Sequence, residues 1–385
     1  MRILHFYKDY LPESMGGVEQ VIRQLCAGTA GMGVHSEVLT LTRAKTAGDI
    51  EFEGHLVRRV PLDCSVASNG MSWAAIGELR RMARTCDVVH YHFPWPFADL
   101  AHFAARIDKP SVVTYHSDIV RQRLLLRLYQ PLRDRFLHSV DAIVATSPNY
   151  LASSAVLNHY RHKTRVITYG LDRSLYPPPR NERLQYWRQL IGRRFFLFVG
   201  VLRYYKGLHI LLDAMADVPY PVVIVGAGPI EHELKERAAR LRLQHVRFVG
   251  ALGDDDKVAL LTLCHAVVFP SHLRSEAFGI SLLEAAMFGK PMVSSEIGTG
   301  TSYINIDGET GIVVPPSDPP ALAEAMRRLW SDPALAAQMG RRAAARYTAL
   351  FTAQQMAASY TTLYYELVAR RTRTADPRRR VLSHG

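Results

Sequence analysis

The chain has 385 residues, 48% of them hydrophobic, which is too much for one ordinary core and points to two globular domains rather than disorder. Its longest apolar runs, such as 195–201 and 266–269, are strand-sized and fall far short of the ~20 residues that span a bilayer. The formal charge of +12 admits anionic partners, yet no aromatic-interleaved basic motif is present, so nucleic acid is not expected as a partner.

The chain opens with Met1-Arg2-Ile3-Leu4-His5-Phe6, broken at once by Lys8 and Asp9, so it does not read as a secretory leader. Ile3–Tyr7 reads as a strand, followed by Gly16-Gly17 and a helix to about Ala30. Further apolar runs at Val38–Leu41, Leu56–Val60, Val88–Tyr91, Ser111–Tyr115, Ala142–Ala145 and Arg165–Ile167 alternate with helical patterns. Such alternation predicts a mainly parallel sheet covered on both faces. Residues 119–139 carry five arginines against Asp134, interleaved with Leu124, Leu125, Leu126 and Leu128. They predict a basic amphipathic helix suited to an anionic membrane surface.

The proline run Pro177–Pro179 can continue neither strand nor helix and places a linker at 171–192. A second series then runs through Phe195–Val199, Val222–Val225, Val246–Val249, Ala266–Phe269 and Met292–Ser294, with helices near 206–216, 229–242, 254–263 and 279–288. The expected organisation is therefore a first domain over 1–170, a second over 193–352 and a basic tail over 371–385. A helix over 353–370 is expected to return to the first domain. The fold class is α/β, two Rossmann-like domains with a cleft between them, where ligands bind beyond the carboxyl ends of the strands. Cys26, Cys64, Cys86 and Cys264 show no CxxC spacing, which suits reduced thiols in the cytoplasm.

Chemistry concentrates at strand-to-helix junctions. Residues 276–284 read Glu-Ala-Phe-Gly-Ile-Ser-Leu-Leu-Glu. The first amides of a helix have no internal partner and carry partial positive charge, so Phe278, Gly279 and Ile280 could seat a phosphate. Glu276 would lie just outside that helix and Glu284 about two turns inside it. Arg203 and Lys206 enter another helix and can neutralise a diphosphate. Gly16 and Gly17 admit close approach to phosphate or sugar. Gly226-Ala227-Gly228 reads as a loop lining the cleft. His116 closes a buried strand and could meet a sugar hydroxyl. His90 and His92 share a strand face without an evident third metal ligand, and together with Trp95 suit a sugar acceptor. Asp254-Asp255-Asp256 opens an apolar helix and reads as N-capping and dipole complementation, not as a metal site.

In combination, Gly-Gly-Val-Glu at 16–19, Tyr-His at 115–116, Tyr-Tyr-Lys-Gly at 204–207 and the Glu276-to-Glu284 spacing make the chain resemble the family 4 retaining glycosyltransferases of GT-B fold. The resemblance implies an acceptor on the first domain, a nucleotide-diphosphate sugar on the second, and no metal or other cofactor. Carried over, Glu276 and His116 would act at the sugar and Glu284 on the ribose. The amides of 278–280 would meet phosphate and sugar, and Lys206 the diphosphate. The family's arginine after the strand glycine is Val201 here, with Arg203 as its expected substitute.

The stretch Glu296–Tyr303 looks like that of bacterial lipopolysaccharide and O-antigen mannosyl- and rhamnosyltransferases. It implies a GDP-sugar, in preference to a UDP-sugar, and a lipid-linked glycan acceptor. The enzyme would then work in the cytoplasm at the inner face of the membrane. No carboxylate is identified for double displacement, so front-face attack is the expected route to retention. Two other readings are a nucleotide-sugar 2-epimerase of the same fold and a basic nucleic-acid-binding protein.

Overall fold

The structure, a computed structural model, describes residues 1–14, 16–44, 47–66, 69–119 and 123–375. The chain divides into two compact units: Met1–Thr146 with Ser154–Gly170 and the residues from Ala353 on, and Leu171–Thr352 with Ser147–Ser153.

The first unit contains β1 (Arg2–Phe6), β2 (His35–Thr42), β3 (Gly48–Phe52), β4 (His55–Pro61), β5 (Cys64–Val66), β6 (Asn69–Met71), β7 (Val88–Phe93), β8 (Ser111–Tyr115), β9 (Ala142–Ala145) and β10 (Thr164–Val166). Eight of these form one sheet in the order β10-β9-β8-β7-β1-β2-β4-β3, parallel except for β3 at its edge. Central strands read as continuous apolar runs because both faces are covered. Ile3, Leu4, Val88, Val89, Val112, Val113, Ile143 and Val144 are fully buried. The helix Ala353–Ala375 packs against the helix Gly17–Ala30 and supplies Tyr360 and Tyr364 to this core. It runs five residues beyond the expected end of the returning helix, and Arg371 pairs with Asp108.

The second unit contains β11 (Phe196–Val199), β12 (Val222–Val225), β13 (Val246–Gly250), β14 (Ala266–Phe269), β15 (Met292–Ser295) and β16 (Gly311–Val314). All pair in parallel, in the doubly wound order β13-β12-β11-β14-β15-β16. Its core runs through Phe196, Phe198, Leu211, Ile224, Val268, Val293, Met326 and Leu329. Gly226, in the positive-φ region at +137°, sits where a Cβ would lie 1.9 Å from the Gly200 carbonyl oxygen. Its glycine is therefore demanded by loop-on-loop packing at the carboxyl ends of β11 and β12.

Several expectations are corrected. β3 and the β5–β6 hairpin were not foreseen, because edge strands exposed on one face lack a continuous apolar run. Residues 171–192, expected as a linker, contain the helix Asn181–Ile191, which packs on the helix Asp254–Leu263. Trp187 fastens it by donating from Nε1 to Asp256 Oδ1 at 2.9 Å. The basic helix runs from Arg123 to Ser139 with Pro131 inside it. Arg121 and residues 376–385 of the basic tail lie outside the described residues. Among the described residues no helix is long and apolar enough to cross a membrane.

Candidate active site

The carboxyl ends of β11 and β14 bring the second unit's chemistry together. After β11 the chain passes Gly200 and Leu202 into a short turn, Tyr204–Lys206, with Arg203 as its cap. After β14 comes the loop that carries Ser271 and Glu276. Backbone bonding of His272 N–H to the Tyr205 carbonyl at 3.0 Å ties the two loops together. Lys206 Nζ pairs with Glu276 Oε2, the two side chains only 12% and 11% exposed. Lys206 also lies 4.7 Å from the Phe269 ring centroid. Burial alone would lower the Lys206 pKa, but the facing Glu276 carboxylate and Tyr205 outweigh it and the net direction is upward. Arg203 is exposed, in the same turn, and near enough for its charge to act on Lys206.

Gly279 caps the helix Ile280–Met287 in the left-handed region, φ 99° and ψ 71°. Among the described residues the amides of Gly279, Ile280 and Ser281 donate to no acceptor. They are the orphan donors of a helix start, the arrangement that receives an anion. Phe278 is 2% exposed, so it contributes backbone and packing rather than a surface ring. Glu284 is the helix's fifth residue, little more than one turn in, where two were expected. It is buried, accepts the Tyr176 hydroxyl at 2.9 Å and pairs with Lys257 at 3.1 Å.

Sequence pattern does not reveal Tyr176 or Lys257: Lys257 directly follows the aspartate triplet and reads as part of a surface charge run, and Tyr176 lies in the proline-rich stretch expected as a linker. The triplet itself is corrected in one respect. Gly253 is the N-cap and makes no side-chain bond, while the three aspartates occupy the first turn. Each faces cationic or N–H groups: Asp254 meets Lys257, Asp255 meets Arg180, and Asp256 meets Arg183 and Trp187.

The segment Glu296–Tyr303 packs on the same loop. Gly300 donates to the Ala277 carbonyl at 2.8 Å, and Glu296 Oε1 accepts from Gly298 N–H and Ser302 Oγ. The Gly226–Gly228 loop, expected to line a cleft, holds the exit of β11 in place: Leu202 N–H donates to the Ala227 carbonyl at 3.0 Å.

The first unit differs more from expectation. Gly16 caps the helix Gly17–Ala30, but the Glu19 carboxylate folds back to within 2.6 Å of where a Gly16 Cβ would be. It accepts from Ser14 and lies near its own backbone N–H. A carboxylate thus sits where a phosphate was expected beside Gly16 and Gly17. Burial and the Asp9 charge push its pKa up, against that hydrogen bonding.

His90, His92 and Trp95 are at most 1% exposed, so they are core groups and offer no acceptor surface. The fold adds the third histidine that spacing did not reveal, because β1 lies beside β7 and sets His5 opposite His90. Ring nitrogens of His5, His90 and His92 lie within 4.8 Å of one another. They do not converge on a metal: the His90 and His92 rings stack at 4.3 Å and 26°, and lone pairs lie in the ring planes. Both His90 nitrogens are also committed at 2.7 Å, to Tyr364 and Thr114. His5 Nδ1 lies 3.2 Å from His92 Nε2, and His92 Nδ1 lies 2.9 Å from His116 Nε2. His116 Nδ1 bonds the Tyr169 hydroxyl, so both its nitrogens are engaged and none is free for a sugar hydroxyl. Burial pushes the pKa of His5 and of His116 down to about 3, and holds His90 and His92 well below the usual range.

Residues 187–346 match the family described as glycosyl transferases group 1, and residues 15–175 match glycosyltransferase family 4. The chain is 63% identical over 353 residues to the D-rhamnosyltransferase WbpZ of Pseudomonas aeruginosa, covering 92% of this chain and 93% of that one. It is 49% identical over 368 residues to the O-antigen chain mannosyltransferase C of Escherichia coli, covering 96% and 99%. Among solved structures, a sucrose-phosphate synthase from Thermosynechococcus elongatus superposes with a TM-score of 0.80 at 22% identity, covering 96% and 99%. HepE of Anabaena, solved with UDP-glucose, does so with 0.76 at 21%, covering 95% and 100%. At those identities the likeness is one of fold.

Proposed function

The chain belongs to the family 4 glycosyltransferases of GT-B architecture, and we propose that it moves D-mannose or D-rhamnose, with retention, from a GDP-sugar to a lipid-linked glycan. Its place would be O-antigen synthesis at the cytoplasmic face of the membrane. The observation that carries this reading is the set of free amides at Gly279–Ser281 beside the buried Lys206–Glu276 pair.

The donor diphosphate seats on those amides, and Lys206 and Arg203 neutralise it. Before binding, Glu276 holds the Lys206 ammonium in place. Once the diphosphate takes the cation, the carboxylate is released to accept from sugar hydroxyls. As the sugar–phosphate bond lengthens, charge grows on the leaving oxygen, where these donors stabilise the transition state more than the ground state. In a front-face path that oxygen takes the acceptor's proton. Glu284, oriented by Tyr176 and Lys257, serves the ribose. The segment at 296–303, joined to Ala277 through the Gly300 N–H, is assigned here to the nucleoside end of the donor, with guanine as the expected base. Arg127, Arg135 and Leu128, the last 82% exposed, are exposed residues of the basic helix that would meet an anionic bilayer.

Melting-temperature shifts and nucleotide release with GDP-mannose, GDP-D-rhamnose and UDP-glucose test the reading. A GDP-sugar should stabilise the protein and be consumed only when a lipid-linked glycan is added. Turnover of donor alone would favour an epimerase, and stabilisation by UDP-glucose only would refute the donor assignment.

A further inference from the structure

We propose a second anion site in the nucleotide-sugar unit, at the amino-terminal edge of its sheet, that binds a small ligand carrying two or more phosphate groups. The hollow there has a volume of about 630 Å³ and lies against the residues that enter β11, β14 and β15. The proposed donor seat uses the loops that leave β11 and β14, so the two sites sit at opposite ends of the same sheet.

Four cations line the hollow: Arg193, Arg194, Lys290 and Arg341, together with His265, and among the described residues no carboxylate lines it. Elsewhere in the unit, by contrast, Lys206, Lys257, Arg237 and Lys235 each face an acid. Here Lys290 donates to the Thr262 carbonyl at 2.8 Å, and Arg194 bonds the Leu329 and Trp330 carbonyls and stacks 4.1 Å from the Trp330 ring. Those two are held in position by neutral groups, so their charge stays uncompensated. Arg193 and Arg341 are exposed and make no ion pair among the described residues. Four like charges around one concavity repel unless an anion joins them, and guanidinium forks match phosphate oxygens bidentately.

The shape selects a small ligand. A concavity of this size falls within the range of small-molecule sites, roughly 300–1,000 Å³. Its walls include Leu263, Pro291 and Ala336, which suit an apolar body attached to the phosphates. A flat lipid surface would not fill it.

The test is titration calorimetry of the full chain with pyrophosphate, repeated with GDP. Wild type should bind two equivalents of pyrophosphate. Arg193→Ser with Arg341→Ser should remove one equivalent, or weaken it at least about tenfold (about 1.4 kcal/mol), and leave the other intact. Lys206→Ala should do the converse, so failure of the donor assignment and failure of this one are distinguishable. Both arginines are exposed and unpaired, so an unchanged melting temperature is expected for the double variant. Undiminished two-site binding by the double variant would overturn the proposal. So would binding abolished equally by sodium chloride at matched ionic strength, or binding only to phosphatidylglycerol vesicles and not to pyrophosphate.

Discussion

Lowering the pH from 7.5 to 5.0 should selectively destabilise the first unit, because its core holds His5, His90, His92 and His116 as neutral rings. In the unfolded chain each titrates near 6.5, whereas in the fold His5 and His116 titrate at about 3. Between those values the unfolded state binds more protons, so stability is full above about 6.5 and is lost as the pH falls. Each neutral histidine contributes about 1.4 kcal/mol per pH unit in that window, or about 2 kcal/mol at pH 5.

His5 and His116 alone would give about 4 kcal/mol, a large share of a domain's stability, and His90 and His92 act in the same direction. Two buried acids oppose this. Asp99 and Glu19 have raised pKa values, so the fold takes up their protons before the unfolded chain does, and stability rises as they protonate. The net loss should therefore be several kcal/mol. Hydrogen exchange read by mass spectrometry would localise it: amides of β1, β7 and β8 should lose protection between pH 6.5 and 5, ahead of β11 and β14. His5→Phe removes the ring whose Nε2 is buried without a hydrogen-bond partner. It should shift stability at pH 7.5 by no more than about 1.5 kcal/mol and reduce the pH slope below about pH 6 by about 1.4 kcal/mol per pH unit. Unchanged protection of β1, β7 and β8 at pH 5 would refute the neutral stack.

Replacing Lys206 by alanine should lower kcat by about 10²–10³, or 2–4 kcal/mol, and abolish the thermal shift given by a GDP-sugar; undiminished turnover would exclude its diphosphate role. Tyr176→Phe should leave Glu284 paired with Lys257 and raise the donor KM several-fold with kcat nearly unchanged, as steady-state kinetics would read. Gly226→Ala should cost more than about 2 kcal/mol in urea unfolding, since its methyl would meet the Gly200 carbonyl at 1.9 Å and the φ is positive.

The parallel α/β character was legible because central strands such as Val222–Val225 and Ala266–Phe269 are buried on both faces and so read as apolar runs. The glycines and charges at strand ends were legible too, since strand-to-helix turns announce themselves by composition. Edge strand β3 and the helix Asn181–Ile191 were not: the first lacks a continuous apolar run, and the second buries only Trp187 fully. Local pattern cannot report which distant groups meet. The Lys206–Glu276 pair joins residues 70 apart, and Tyr176–Glu284 joins residues 108 apart. His5, 85 residues from His90, entered the stack only through the pairing of β1 with β7. That pairing also turned His90, His92 and Trp95, which read as an acceptor surface, into core. Sequence determined which glycines and charged residues stand at the strand ends. Tertiary structure decided which of them are exposed, because burial on a central strand depends on what covers its face.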